Sequence, residues 1–358
     1  MLPSILRKIG WTMHSRTPRA VCAAILSTAA LVAGCSSSIT DSGAIVAANY
    51  GGSTGDSLKS ILQSAYQARS GTAFQQVAVG TGFAAKLEAQ SKARHVSWSV
   101  IEGLSGSDAA QADQLGLLEH LSPELRGRLE AVSLPGAVTD YGVALGDTGY
   151  VIACRAQVKC PDDPIQFWNT KDFPGRRAVP NVAPVMLASA LIADGVRPDQ
   201  VYPIDVGRAL NSMARLRPDV WTTSGDQQMQ VVRDGQVDMA IMWNGRAKAV
   251  TEQGTPLTLR WGGSVVNPNY MVVVKGGPNS VEAMKYLEFY ATDPQLQAKL
   301  AAALGYGMSH RESLASMKPA DADALPAAHA ESQLRLRPEW WAQNAGAVGP
   351  QWERLVAG

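Results

Sequence analysis

Long hydrophobic runs, histidine clusters and an excess of either charge are all missing from this 358-residue chain. The five histidines are scattered, and none has the H-E-x-x-H spacing of a catalytic metal site. Lys plus Arg number 32 against 31 Asp plus Glu, a net charge of +1. Four of the basic residues (Arg7, Lys8, Arg16 and Arg19) fall in the first 34 residues, which hold no acid. Without that segment the balance is 28 to 31, or −3. A nucleic-acid binder is expected to be clearly basic, so that class is excluded. Aromatic residues make up 6% and hydrophobic residues 46%, which is globular and neither collagen-like, disordered nor disulfide-dense. The length exceeds one ordinary core and suits two domains of roughly 100–200 residues each.

The N-terminus reads as an address. Residues 1–19 are basic and polar, and residues 20–33 form an apolar run of 14. A bilayer-spanning helix needs about 20 residues, so the run fits the h-region of a secretory signal instead. Val32-Ala33-Gly34-Cys35 follows, a pattern that looks like a bacterial lipobox. The small residues suit a narrow peptidase cleft, and Cys35 becomes the lipidated mature N-terminus. Met13 would give a signal of more usual length. Residues 35–43 read as a flexible tether. Ser36 in place of Asp gives no argument for retention at an inner membrane. No later stretch approaches 18 apolar residues, so no transmembrane helix is expected. The protein is expected in the periplasm, lipid-anchored to a cell membrane.

Cysteine usage agrees with export. Cys22 leaves with the signal and Cys35 takes the lipid, so Cys154 and Cys160 remain as a pair in an oxidising compartment. A disulfide between them is expected. No His or Cys cluster accompanies them, so neither a metal nor any other cofactor is expected.

The rest of the chain alternates strands and helices twice. Ala44–Ala48 is a short buried strand, followed by a helix over roughly 55–69 with apolar Leu58, Ile61, Leu62 and Ala65 at helical spacing. Phe74–Val79 is a second strand, and Gly80-Thr81-Gly82 opens a helix through about Ala93. Ser97–Ile101 is a third strand, with a helix starting at Ser107. This βαβα order implies a parallel sheet covered by helices. Tyr141–Leu145 and Tyr150–Ala153 read as two short crossover strands around Gly146-Asp147. The pattern then restarts: helix 164–169, strand 177–180, helices 184–193 and 205–216, strand 220–221, helix 225–234, strand 237–243. Leu257–Leu259 and Met271–Val274 read as further strands, the latter a return strand, before helices at 280–291 and 294–303. One α/β unit is interrupted by another and resumed. Ligands of such sheets collect at the carboxyl ends of the strands, here the loops at 49–55, 80–82, 102–107, 180–184, 222–226 and 243–246.

Three segments carry a resemblance. Ala48-Asn49-Tyr50-Gly51-Gly52 followed by Gly80-Thr81-Gly82 is one. Phe167-Trp168 with Lys171-Asp172-Phe173-Pro174-Gly175-Arg176-Arg177 is the second, and Asp234 through Gly245 (DGQVDMAIMWNG) is the third. In this order they resemble the bacterial extracellular solute-binding proteins of ABC transporters, in their polyamine (spermidine/putrescine) branch, over about residues 44–355. The resemblance implies a two-domain periplasmic-binding-protein fold: two α/β lobes joined by crossing hinge strands, with a ligand cleft between. Residues 44–145 plus 271–358 would form lobe 1 and 146–270 lobe 2, with hinge segments near 141–154 and 262–274. It implies a monomer that binds a small molecule and serves permease and ATPase subunits, and that does no chemistry itself.

In that branch, aromatic side chains sandwich the ligand's methylenes and acids hold its ammonium groups, through cation–π attraction and charge-assisted hydrogen bonds. Trp243 falls on the family's cleft tryptophan. Asn181 and Tyr270 fall near two of its carboxylates, so both acids are replaced here. Glu102 after the third strand and Asp226 are the candidates to restore negative charge, while Arg246 suits a carboxylate. A polyamine-like amine is the first expectation. An amino acid with separated amine and carboxylate and an opine-like compound stay open. Thr81 and Gly82 offer N–H groups at a helix start, and Ser224 repeats that arrangement in the second domain. Ser53, Thr54, Asn244 and Tyr270 complete the candidate contacts. Gly51-Gly52-Ser53-Thr54-Gly55 also satisfies G-x-S-x-G. A secreted hydrolase using Ser53 with His310 or His329 is therefore the alternative from another class, although no earlier strand supplies its oxyanion loop.

Overall fold

The computed structural model describes residues 43–80 and 82–358. The expected signal segment, nearly all of the tether, Cys35 and Thr81 lie outside the described residues.

Apolar strand residues alternate between two buried sides, because successive side chains point to opposite faces of a strand. In β1 (Ile45–Asn49), Ile45 and Ala47 join one core while Val46 and Ala48 join another. The remaining strands are β2 (Phe74–Ala78), β3 (Val100–Ser105), β4 (Gly142–Arg155), β5 (Arg177–Pro180), β6 (Val220–Thr222), β7 (Met239–Trp243), β8 (Leu257–Val273) and β9 (Leu334–Arg335). They form one sheet in the order β2-β1-β3-β8-β4-β7-β5-β6, with β9 beside β8. Pairing is parallel among β1, β2 and β3 and among β5, β6 and β7. The strands β4 and β8 run antiparallel between the two groups.

Helices cover both faces of each group. The first group carries α1 (Gly52–Ser57), α2 (Ser64–Ser70), α3 (Phe83–Lys92), α4 (Gly106–Gln114) and α5 (Pro123–Val132). A π-helical stretch, Leu58–Gln63, joins α1 to α2. The second group carries α6 (Pro164–Trp168), α7 (Ala183–Ala193), α8 (Val206–Leu216), α9 (Gly225–Arg233) and α10 (Asn244–Glu252). Then follow α11 (Ser280–Thr292) and α12 (Pro294–Leu304), which return to the first group's core, a short α13 (Pro319–Asp323), and α14 (Pro338–Ala357). Side-chain caps fix many of the starts. Ser122, Asp163, Asp205, Ser224 and Asp293 each accept a bond from a backbone N–H of the first turn, as is usual at helix N-termini. Among the described residues, no helix is long and apolar enough to cross a membrane.

The two middle strands depart from the sequence reading. β4 is a single strand of 14 residues and β8 a single strand of 17. The sequence reading breaks each in two, at Gly146-Asp147 and after Leu259. Gly146 makes no turn: a Cβ there would lie 2.7 Å from the Gly307 carbonyl oxygen and 2.9 Å from Tyr306 Cβ, so glycine admits a close neighbour. The pairing absorbs it as a register shift between Ala144 and Gly146, with a second between Tyr150 and Ile152. The N-terminal half of β4 pairs with the C-terminal half of β8 in the first group, and the other halves pair in the second. The outcome is two α/β lobes joined by crossing strands. Cys154, at the end of β4, is disulfide-bonded to Cys160.

Candidate functional site

A cavity of about 470 Å³ opens where the strands of both groups end. Its lining draws on each of the six strand-end loops: Tyr50 and Gly51, Gly80 and Gly82, Ser105 and Ser107, Pro180 through Pro184, Thr222 through Asp226, and Trp243 and Arg246. A smaller space of about 50 Å³ adjoins it and shares Tyr50, Tyr150, Trp243 and Asn267. The volume of the larger one is within the usual range for small-molecule sites, ~300–1,000 Å³.

Four aromatic rings form its spine. Phe83 meets Tyr50 edge-on at 5.1 Å, Tyr50 meets Trp243 at 6.2 Å, and Trp243 meets Tyr150 at 6.2 Å. Trp243 ends β7, and its backbone N–H donates to the buried Gln228 side chain at 3.0 Å, which fixes the ring's approach. Arg246 sits one turn into α10, 7% exposed, with its guanidinium carbon 5.9 Å from the Trp243 ring. Its Nη1 donates to Ser53 Oγ at 2.5 Å, from the other lobe, and lies 3.6 Å from Asp226. The Asp226 side chain is 78% exposed, so that pairing is strongly screened. Among the described residues, the buried Arg246 Nε has no hydrogen-bond partner. Such an orphan donor costs free energy until something accepts from it.

Asp108 stands in the first turn of α4, where its backbone N–H bonds the Ser105 hydroxyl at 3.2 Å. Burial pushes its carboxyl above the ordinary aspartate range, and the Ser105 hydroxyl acts in the opposite direction. Burial also drives the Tyr50 hydroxyl well above its usual pKa, with the charge of Asp108 adding to the effect. A cation placed beside Asp108 would return it to its normal range, because opposite charge favours the ionised form. The cavity therefore presents one buried cation, one carboxylate held in a low-dielectric setting, and aromatic faces between.

The predicted residues divide into groups. Gly82, Asn181, Ser224, Trp243 and Arg246 line the larger cavity, and Thr54 and Glu102 line the smaller one. Ser53 meets the site through Arg246. Ser224 caps α9, accepting from Gln227 N–H at 3.1 Å. Asn244 lines neither space: its amide is taken up by the Gly149 N–H and by the Gly305 and Ala324 carbonyls. Tyr270 is buried in the first lobe's core, edge-on to Tyr141 at 6.0 Å. Glu102 is fully buried and accepts from Asn49, Gln63 and Tyr286 at 2.5–3.2 Å. Burial raises its carboxyl pKa and these three bonds oppose the rise. Tyr50, Phe83, Asp108 and Tyr150 were missed by sequence reasoning. Asp108 lies one residue past the flagged loop at 102–107, and a carboxylate one turn into a helix at a strand's carboxyl end was the available signal. Ser53 has an arginine rather than an imidazole as its partner. His310 accepts from Glu312 N–H and His329 stacks on Trp261, both away from the cavity.

Two α/β lobes joined by crossing strands, with a ligand-sized cavity between their strand ends, define a periplasmic-type substrate-binding protein. The chain belongs to the bacterial extracellular solute-binding protein family, whose model matches residues 63–328. It is similar to the gamma-aminobutyric acid-binding protein of Pseudomonas aeruginosa, 34% identical over 281 residues, covering 75% of this chain and 79% of that one. Among solved structures, a GABA receptor is 32% identical with a TM-score of 0.80, covering 87% of this chain and 97% of that one. A periplasmic binding protein from A. tumefaciens R10, solved with agropinic acid, is 28% identical with a TM-score of 0.78, covering 88% and 99%. The spermidine/putrescine-binding protein of Escherichia coli matches over 106 residues at 24% identity, 29% of this chain and 30% of that one. The family and these relatives are transport proteins rather than enzymes. This chain is the substrate-binding component of an ABC transporter, capturing a small molecule outside the cytoplasm for delivery to a permease.

Proposed function

We propose that the ligand is a linear amino-carboxylate of the 4-aminobutyrate class. The observation that carries this reading is the unpartnered Nε of the buried Arg246, in one cavity with Asp108 and the aromatic rings. A carboxylate accepts from Arg246, the methylenes lie against Tyr50 and Trp243, and the ammonium meets Asp108 and the ring faces. Charge-assisted bonds of this kind contribute about 1.5–3 kcal/mol each. The similarity to two proteins named for GABA supports the same reading. A polyamine fits the charges less well. It needs a second buried carboxylate, yet Asp226 is exposed and already beside Arg246, and Glu102 is saturated by three donors. Arg246 would also repel an ammonium.

The lobes proposed are residues 44–145 with 271–358, and residues 146–270. A lipid on Cys35 would hold a monomeric receptor at the periplasmic membrane surface. Isothermal titration of the purified full-length protein with 4-aminobutyrate, putrescine and spermidine tests the ligand. Binding of 4-aminobutyrate that Arg246→Ala abolishes is expected. Binding of putrescine alone, unaffected by that substitution, would overturn the amino-carboxylate reading.

A further inference from the structure

The C-terminal helix α14 lies past the residues matched by the family model, yet it forms one wall of the cavity. Trp341, Ala342, Ala345, Val348 and Gly349 face it, at the i, i+1, i+4, i+7 and i+8 positions that make one helical stripe. Three of the five carry little or no side chain. A Cβ built at Gly349 would meet nothing within 4 Å among the described residues, so the wall is bare there.

The wall is fixed from both lobes. α14 packs on α4 of the first lobe and on α7 and α8 of the second. The start of α14 can seat on α4 only because residue 106 is glycine: a Cβ there would stand 2.7 Å from Pro338 Cγ. Trp341 Nε1 donates to the Tyr202 hydroxyl at 2.8 Å, and Trp352 Nε1 donates to the Asn181 side chain at 2.7 Å. Asn181 itself lines the cavity. The buried Arg246, whose Nε has no hydrogen-bond partner among the described residues, lines the same cavity. A ligand anchored at Arg246 and long enough to reach α14 would meet the small residues of this stripe.

We propose that α14 is the specificity-determining wall of the cleft, and that Ala342, Ala345 and Gly349 set the length of ligand admitted beyond Arg246. The proposal rests on this cavity being the ligand site, as in the proposed function. It implies that the wild type accepts a range of chain lengths, and that filling the stripe shortens that range.

The test titrates full-length protein with homologous series of linear ω-amino acids, α,ω-diamines and monoamines, from three carbons upward. Wild type is compared with Ala342→Leu, Ala345→Leu and the control Ala347→Leu, an exposed α14 position that does not line the cavity. In whichever series the wild type binds, each filling variant is expected to weaken the longest bound members by about tenfold or more. The shortest members should change far less, since one methylene in a pocket is worth roughly 10–200-fold. Ala347→Leu should leave all of them unchanged. An equal loss at every length, or no loss, in variants with unaltered melting temperature would refute the wall. A wild type that binds diamines and no amino-carboxylate retires the proposed ligand class, while the length comparison still decides the role of α14. A wild type that binds no member of any series overturns both.

Discussion

Gly225 offers the sharpest test of how this cleft is built. It opens α9, and its backbone is not in the left-handed region, so alanine is acceptable to the main chain. On backbone entropy alone, Gly225→Ala would stabilise the fold by about 0.4–1 kcal/mol. The surroundings oppose this. A Cβ at 225 would stand 2.5 Å from Arg246 Nε, and 2.8 and 3.1 Å from Trp243 Cζ3 and Cε3. Both neighbours are held, the Trp243 ring between Tyr50 and Tyr150 and Arg246 through Ser53, so neither withdraws freely. Overpacking of this kind costs roughly 1–3 kcal/mol. The net is a destabilisation of about 1–2 kcal/mol, read as a melting temperature lower by roughly 1–3 °C in a chain of this size. Displacing Arg246 also weakens a charge-assisted contact of about 1.5–3 kcal/mol, so affinity for 4-aminobutyrate should fall roughly 10- to 100-fold. Differential scanning fluorimetry and calorimetric titration read the two effects separately. An unchanged or higher melting temperature with affinity within about threefold of wild type would refute the claim that residue 225 is bare to admit two cleft side chains.

Arg246→Lys keeps the charge but loses the planar fork, and should weaken 4-aminobutyrate about 10-fold or more; undiminished affinity in calorimetry would count against a carboxylate at this position. Glu102, faced by Asn49, Gln63 and Tyr286, has its folded-state carboxyl raised by burial. Its contribution is therefore full below the unfolded glutamate value of about 4.3 and is lost as pH rises through the raised folded value. Glu102→Gln should flatten that decline in urea midpoints measured across pH, and an identical pH profile would sink the assignment. The Cys154–Cys160 bond closes a loop with a sequence separation of 6. Replacing both by alanine should cost about 2 kcal/mol by loop entropy, measured by urea unfolding; equal stability of the two proteins would refute that figure.

Much of the layout was legible because it rests on local signals. Ser224, Asp205 and Asp293 mark helix starts, and the apolar runs of β1 and β7 mark a sheet buried on both faces. The six strand-end loops follow from that layout, and all of them reach the cavity. What was hidden depends on long-range contact. Gly146, Gly262 and Gly263 carry the composition of turns, yet in the fold they admit neighbours that approach too closely for a side chain. Glu102 sits at the right end of β3 for a ligand contact, but Gln63 and Tyr286 reach it from helices 39 and 184 residues away in sequence. Tyr270 alternates to the core side of β8, a matter of register that the sequence alone leaves open. Tyr50 and Phe83 were passed over because a single aromatic beside a glycine loop has no periodicity to separate cleft from core. The contribution of α14 was invisible for a different reason: a helix rich in tryptophan reads as packing, and the small residues between carry no chemistry of their own.

Among the described residues, the sheet passes from one lobe to the other only through β4 and β8. Within the sheet, motion between the lobes would therefore bend two hydrogen-bonded ribbons, much as a leaf spring bends, while α14, packed on both lobes, would have to shift with it. Their register shifts, at Ala144/Gly146 and Tyr150/Ile152, are the soft points at which such a spring bends. A solute that drew the two lobes together would do so against the stiffness of those strands. Part of its attraction would then be offset by the bending of β4 and β8. Stiffer ribbons would loosen the grip and speed the hand-over to the permease, while softer ones would do the reverse. In such a closure the two strands, and not only the side chains lining the cavity, would share in setting the balance between capture and release.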